Sequence, residues 1–261
     1  MRSRSRSSFT ARSRSCLAIV ALAVISSACG SDSSTGPSDT GVRADLAQAF
    51  RELGHPAVSD AIQGMTGLFF TPGPNSGCPY TAASQTFVCP TIDESGLSLA
   101  FSYALLDGSG AAQSAFGATT TNSVHTISVI SGTATDLGDS FSISGRQDMT
   151  VSGLLSTKHT LNGTSDFHVT GSFDTGSGTL PFAFRTKTTI TNLVLPTGTN
   201  AYPASGTILA EESQDAVPGT DRVLMTFNGT SSIALVFTLA NGSVSHCTMN
   251  LAQGGDVSCT D

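Results

Sequence analysis

The sequence predicts an all-β fold, an antiparallel meander arranged as a barrel-like sheet or a sandwich, with a short helical segment at its N-terminal end. Two observations carry this. From about residue 66 onward the chain is built of short runs rich in Thr, Ser, Val, Ile, Leu and Phe. Gly, Asn-Gly and Asp-Gly interrupt these runs at the spacing of about 8 to 12 residues that all-β folds use.

The chain opens with "MRSRSRSSFTARSRSCLAIVALAVISSACG", in which five arginines precede an apolar run, Cys16 to Ile25, followed by small residues. That is the layout of a secretory signal peptide. The run is about half the ~20 residues that a spanning helix needs, so a retained transmembrane anchor is not expected. Ser26-Ser27-Ala28-Cys29 followed by Gly30 resembles the lipobox of bacterial lipoprotein precursors, with Ser26 where that family usually has Leu or Val. The resemblance is confined to about the first 40 residues and implies that Cys29 becomes the lipid-bearing first residue of the mature protein. A plain secreted protein, cut after Ala28, is the alternative. Cutting before Cys29 leaves five cysteines, and acylation of Cys29 accounts for the odd one.

The following "GSDSSTGPSDTG" is too poor in apolar residues to order itself and reads as a flexible tether. Residues 1–28 are thus expected to be a signal peptide, 29–41 the lipid attachment and tether, and 42–261 one mostly-β domain. Losing the signal removes five of twelve basic residues and none of the nineteen acidic ones, leaving a charge of −12. Such an acidic surface argues against nucleic acid and against an anionic membrane surface as partners. The membrane contact expected is the N-terminal lipid alone.

Within the domain, Val42, Leu46, Ala49, Phe50 and Leu53 recur at helical spacing, and Gly54 and Pro56 supply stop signals. A helical segment over about 42–63 is expected. The strands begin after it. In "VLMTFNGTSSIALVF" a three-residue loop at Asn228-Gly229-Thr230 would set Phe227, Met225 and Val223 opposite Ser231, Ile233 and Leu235, placing mostly apolar side chains on one face. Asn162-Gly163, Asn241-Gly242 and Asp107-Gly108 read as further turns, because both residues of such pairs tolerate positive φ. The three Asn-Gly sites also fit Asn-x-Ser/Thr acceptors, but the turn explains them first.

Four cysteines remain, in two local pairs: Cys78 with Cys89 around a short loop, and Cys247 with Cys259 across a hairpin centred near Gln253. Export favours disulfides. The rival metal reading has no Cys-x-x-Cys to support it, and no metal or other cofactor is expected.

"SFDTGSGTLPFAF", residues 172 to 184, resembles the catalytic loop of pepsin-like aspartic proteases, which implies Asp174 as the reactive carboxylate. That chemistry needs two carboxylates sharing a proton. Asp39-Thr40-Gly41 lies in the tether, Asp107-Gly108-Ser109 lacks the Thr, and no apolar-apolar-Gly support follows Asp174 as it would in a retroviral-type protease. A hairpin with a Gly176-Ser177 turn instead pairs Phe173 with Leu180, Gly171 with Phe182 and Val169 with Phe184, and assembles one apolar face without catalysis.

Other constellations are thinner. His159 and His168 would meet Asp166 across an Asn162-Gly163 turn as a small His/Asp cluster. Residues 135–139 carry acidic oxygen donors without an EF-hand pattern. No nucleophile elbow, Walker motif or dinucleotide glycine motif occurs. Glycan binding commonly leans on aromatic platforms, and the chain has no Trp and three Tyr. It does have fourteen Phe, among them Phe167, Phe173, Phe182, Phe184, Phe227 and Phe237 at inward strand positions. They line either an ordinary core or a cavity for an apolar small molecule. The expected protein is therefore a lipid-anchored cell-envelope binding or structural module without enzymatic activity. A secreted hydrolase acting through Asp174 and an adhesive domain that binds another envelope protein are the alternatives.

Overall fold

The computed structural model describes residues 77–260 apart from 137–138, 175–177, 198–201, 216 and 254–255. The signal peptide, Cys29, the tether and the helical segment expected at 42–63 lie outside the described residues. The described residues fold as expected, into antiparallel β-structure. The strands are β1 (Tyr80–Thr81), β2 (Thr86–Val88), β3 (Ile92–Glu94), β4 (Leu97–Asp107), β5 (Ala112–Gln113), β6 (Thr121–Asp136), β7 (Asp139–Ser152), β8 (Lys158–Asp174), β9 (Thr179–Pro196), β10 (Ser205–Gln214), β11 (Val217–Phe227), β12 (Ser232–Thr238), β13 (Val244–Asn250) and β14 (Asp256–Cys259). They form one sheet in which each long strand lies beside the next in the chain. β2, β3 and β5 share one edge of β4, whose other edge is taken by β6. The path runs from β1 to β14 and, among the described residues, no β1–β14 pairing closes it.

The period-two pattern decides which side chains point inward. In β12, Ile233, Leu235 and Phe237 are buried while the residues between them are more exposed, and in β13 Cys247 and Met249 alternate in the same way. Carried across the ladder, this parity puts Leu105, Val124, Val151, Leu161, Ile190, Ile208 and Met225 on the inner face. The even residues of β7 and β8, the odd residues of β9 before its bulge, and the odd residues of β10 are left to the outer face; past the bulge β9 changes parity and Leu193 turns inward.

The β8–β9 register is the expected one, with Phe173, Gly171 and Val169 opposite Leu180, Phe182 and Phe184. The β11–β12 register differs by two residues: Met225 faces Leu235 and Val223 faces Phe237. The inner face survives because a shift of two preserves parity. The longer loop is held by Asn228, whose Oδ1 accepts from the Thr230 amide at 3.0 Å and its hydroxyl at 2.7 Å.

Asn162-Gly163 is not a turn. It lies inside β8, where the β8–β9 ladder slips between Leu161 and Gly163. Asn162 Oδ1 accepts the Asn192 amide at 2.7 Å, and Asn192 takes a φ of 48°. The pair that tolerates irregular backbone has been used for a bulge rather than a reversal. Asn241-Gly242 and Asp107-Gly108 do form turns, closed by Gly242 N to Leu239 O and by Gly110 N to Asp107 O.

Both disulfides are formed, Cys78–Cys89 and Cys247–Cys259, each with Cα atoms 4.0 Å apart. Cys247 and Cys259 are direct cross-strand partners on β13 and β14, the last pair of the sheet. Cys78 and Cys89 continue the β1–β2 register beyond Tyr80 and Phe87 at the first pair. Each end of the sheet path is thus pinned by a covalent bond, which restrains strands of two and four residues that could not hold an edge alone. Such pairs fit an oxidising environment.

Candidate functional site

On the outer face, β7 to β11 present charged residues in register. Arg146 of β7 lies opposite Asp166 of β8, Asp166 opposite Lys187 of β9, Lys187 opposite Glu211 of β10, and Glu211 opposite Arg222 of β11. The row alternates in sign across five strands. Cross-strand pairs of opposite charge stabilise a sheet and like pairs destabilise it, so this order is the favourable one. A second row beside it runs Ser144, His168, Arg185, Ser213.

The rows are knitted diagonally. Arg185 forks onto Asp166, its Nε donating to Oδ1 at 2.7 Å and its Nη2 to Oδ2 at 2.5 Å. Arg146 Nη2 donates to Asp148 Oδ2 at 2.9 Å, and Asp148 Oδ1 lies 2.6 Å from His125 Nε2. His168 Nε2 is 3.1 Å from Asp215 Oδ2, and Arg222 Nε donates to Glu211 Oε1 at 2.9 Å. The Arg185 fork holds the Asp166 carboxyl below its ordinary range, and the His125 hydrogen bond followed by that of Arg146 does the same for Asp148. Both stay ionised at neutral pH.

Between the rows lies an open groove of about 810 Å³, lined by Ser144, Gly145, Arg146, Thr164, Asp166, His168, Arg185, Ser213 and Asp215. Its walls are hydroxyls, guanidinium groups, an imidazole and carboxylates. Four of the five basic residues of 77–261, Arg146, Arg185, Lys187 and Arg222, belong to these two rows.

The residues singled out from sequence fare differently. Asp174 is the last residue of β8 and pairs with Thr179 in the expected hairpin. Asp107 lies at the opposite end of the sheet, where its Oδ1 accepts from the Ser109 amide at 2.8 Å, the Ser109 hydroxyl at 2.7 Å and the Ala111 amide at 2.9 Å. It caps a turn and does not approach Asp174. His159 does not join His168 and Asp166: all three lie on one strand, His159 nine residues before His168 and of opposite parity. Among the described residues no group of three His, Cys, Asp or Glu side chains could hold a metal ion.

The phenylalanines divide. Phe227 and Phe237 are buried in the core. Phe167 lies against its cross-strand neighbour Gly145, and the Phe182 ring lies where a Gly171 Cβ would stand, 2.5 Å from Cζ. Rings laid over cross-strand glycines restore the contact that the missing side chain gives up. Phe182 also stacks on Phe184 at 6.1 Å. These rings are occupied in packing the sheet.

On the inner face a different pair appears. Glu212 of β10 is directly opposite Asp221 of β11, and burial followed by the Asp221 charge pushes the Glu212 carboxyl above its ordinary range. Asp221 Oδ1 accepts the Ala240 amide at 2.8 Å.

Comparison with protein-family models, with curated proteins and with solved structures finds no match for this chain.

Proposed function

We propose that the protein is an exported, lipid-anchored binding module of the bacterial cell envelope, and that its working surface is the groove on the outer face of β7 to β10. The groove carries this reading: charged side chains from β7, β8, β9 and the turn after β10 are held in pairs around a volume of about 810 Å³, within the range of ligand sites. The Cys29 lipobox and the tether support the anchored placement, and the two disulfides support export. An apolar cargo has less support, because Phe167 and Phe182 are spent on Gly145 and Gly171.

Two measurements test the reading. The full chain, expressed with its own signal and compared with Cys29→Ser, should partition with membranes and carry an acyl mass that the variant lacks. Native mass spectrometry of the chain from its envelope extract should show a non-covalent adduct, lost in an Asp166→Asn/Arg185→Gln double variant. An adduct retained by the double variant would move the site away from this groove.

A further inference from the structure

We infer that the groove takes a neutral, polyhydroxylated ligand, a short segment of a glycan. The inference rests on the binding role proposed above and specifies its ligand.

The first ground is charge. Arg146 and Arg185 in the groove lining are balanced by Asp166 and Asp215. The wider face repeats the balance, with Arg146, Arg185, Lys187 and Arg222 against Asp148, Asp166, Glu211 and Asp215. In a chain whose mature form is strongly acidic, this patch gathers equal numbers of both signs. It offers no net field to steer an ion of either sign.

The second ground is that the charges are already paired. The Arg185 fork is closed on Asp166, and an anion seeking that guanidinium would have to displace one carboxylate while lying close to another. A cation would meet Arg146 and Arg185 in the same way. What the pairs leave open is hydrogen-bonding capacity: the remaining N–H groups of Arg146 and Arg185, the second lone pairs of Asp166 and Asp215, and the hydroxyls of Ser144, Thr164 and Ser213. Donors and acceptors alternate at close range. A sugar hydroxyl both donates and accepts, so a run of them satisfies such a surface without an ionic exchange. Charged groups that are held by each other also bond more strongly to a neutral partner than free hydroxyls do.

The third ground is shape. The lining comes from four adjacent strands, and three strand spacings cover about 14 Å. An open groove of that width suits a segment of a longer chain entering and leaving at its ends. Among the described residues its lining carries no Phe, Tyr or Trp, so no broad stacking platform contributes and hydrogen bonds carry the affinity. Binding is therefore expected to be weak for one domain and almost indifferent to salt.

Affinity electrophoresis of the full chain tests this with soluble polysaccharides set in the gel: dextran, glycogen and galactomannan as neutral probes, polygalacturonate and alginate as anionic ones. The expected result is retardation by at least one neutral probe, unchanged up to about 0.5 M salt, where free charges would be screened. Asp166→Asn/Arg185→Gln, at exposed positions that leave the core intact, should weaken it at least tenfold. Retardation by the anionic probes alone, abolished by salt, would overturn the ligand class while leaving the groove as the site. If no probe is retarded and the native adduct persists in the double variant, both the ligand class and the groove are overturned. If no probe is retarded but the adduct is lost, the ligand class alone falls.

Discussion

Lys187 stands between Asp166 and Glu211 in the alternating row, so Lys187→Glu converts two attractive neighbours into two repulsive ones. Directly opposite exposed side chains bring their charges to about 6 Å, where a unit pair in water is worth about 0.7 kcal/mol. Each reversal swings about 1.4 kcal/mol and the two together about 2.8 kcal/mol before screening. With Debye lengths of about 30 Å at 0.01 M salt and about 3 Å at 1 M, the loss should be about 2.3 and about 0.4 kcal/mol respectively. Lys187→Gln removes the attractions without adding repulsion and should lose half as much. The assay is urea unfolding of the wild type and both variants at each ionic strength, with every variant compared with the wild type at the same salt. A charge-reversal penalty that is equal at both salts would refute the reasoning, because a packing defect and not the row would then be responsible.

Cys259→Ser removes the cross-link at the last strand pair with little loss of packing, since Cys259 is exposed and Cys247 keeps its place in the core. Closing a loop of this length is worth about 3 kcal/mol, so the melting temperature should fall by about 6–12 °C, read by calorimetry. Glu212→Gln should stabilise the protein at neutral pH. The folded state holds the Glu212 proton to higher pH than the unfolded state does, so wild-type stability falls as pH rises from the ordinary value of 4.5 through the raised one. Urea midpoints at acid and neutral pH should therefore diverge between wild type and variant only on the neutral side. Gly163→Ala places a Cβ against the Asp148 carbonyl and 2.8 Å from Met149 Cα, in a ladder that cannot give way. It should cost about 1–3 kcal/mol, measured by chemical denaturation.

Where the sequence could be read, the signal was local. The β8–β9 register followed from parity alone, because Phe173, Gly171 and Val169 meet Leu180, Phe182 and Phe184 across a short connection. The cysteine pairs were legible for the same reason, each closing one hairpin. Asn162-Gly163 misled because an Asn-Gly pair reports a need for unusual backbone without saying whether a turn or a bulge supplies it; the deciding partner, Asn192, lies thirty residues away. The charged row was missed because each strand contributes one or two members: Arg146 and Asp148, Asp166 and His168, Arg185 and Lys187, then Glu211 and Arg222. A faint trace existed in the repeated spacing of two between charged residues in successive strands. It becomes a row only after four registers are known.

The site's location then follows from the fold. The core takes one face of the sheet and most of the charge on β7 to β11 falls on the other, so a meander with fixed registers must line its outward charges into rows. Nothing in that requirement makes the rows neutral. Residues 77–261 carry nine more acidic than basic residues, a surplus that already serves solubility. Setting Arg146, Lys187 and Arg222 opposite carboxylates and Arg185 diagonally against Asp166 therefore adds no solubility, and as exposed pairs they add little stability each. What the arrangement does add is orientation: Asp166 is held by two bonds, Arg185 by the same two, and Asp148 from both sides. Side chains fixed in this way lose less freedom when a ligand arrives, and a groove that must bind without aromatic stacking gains most from that economy.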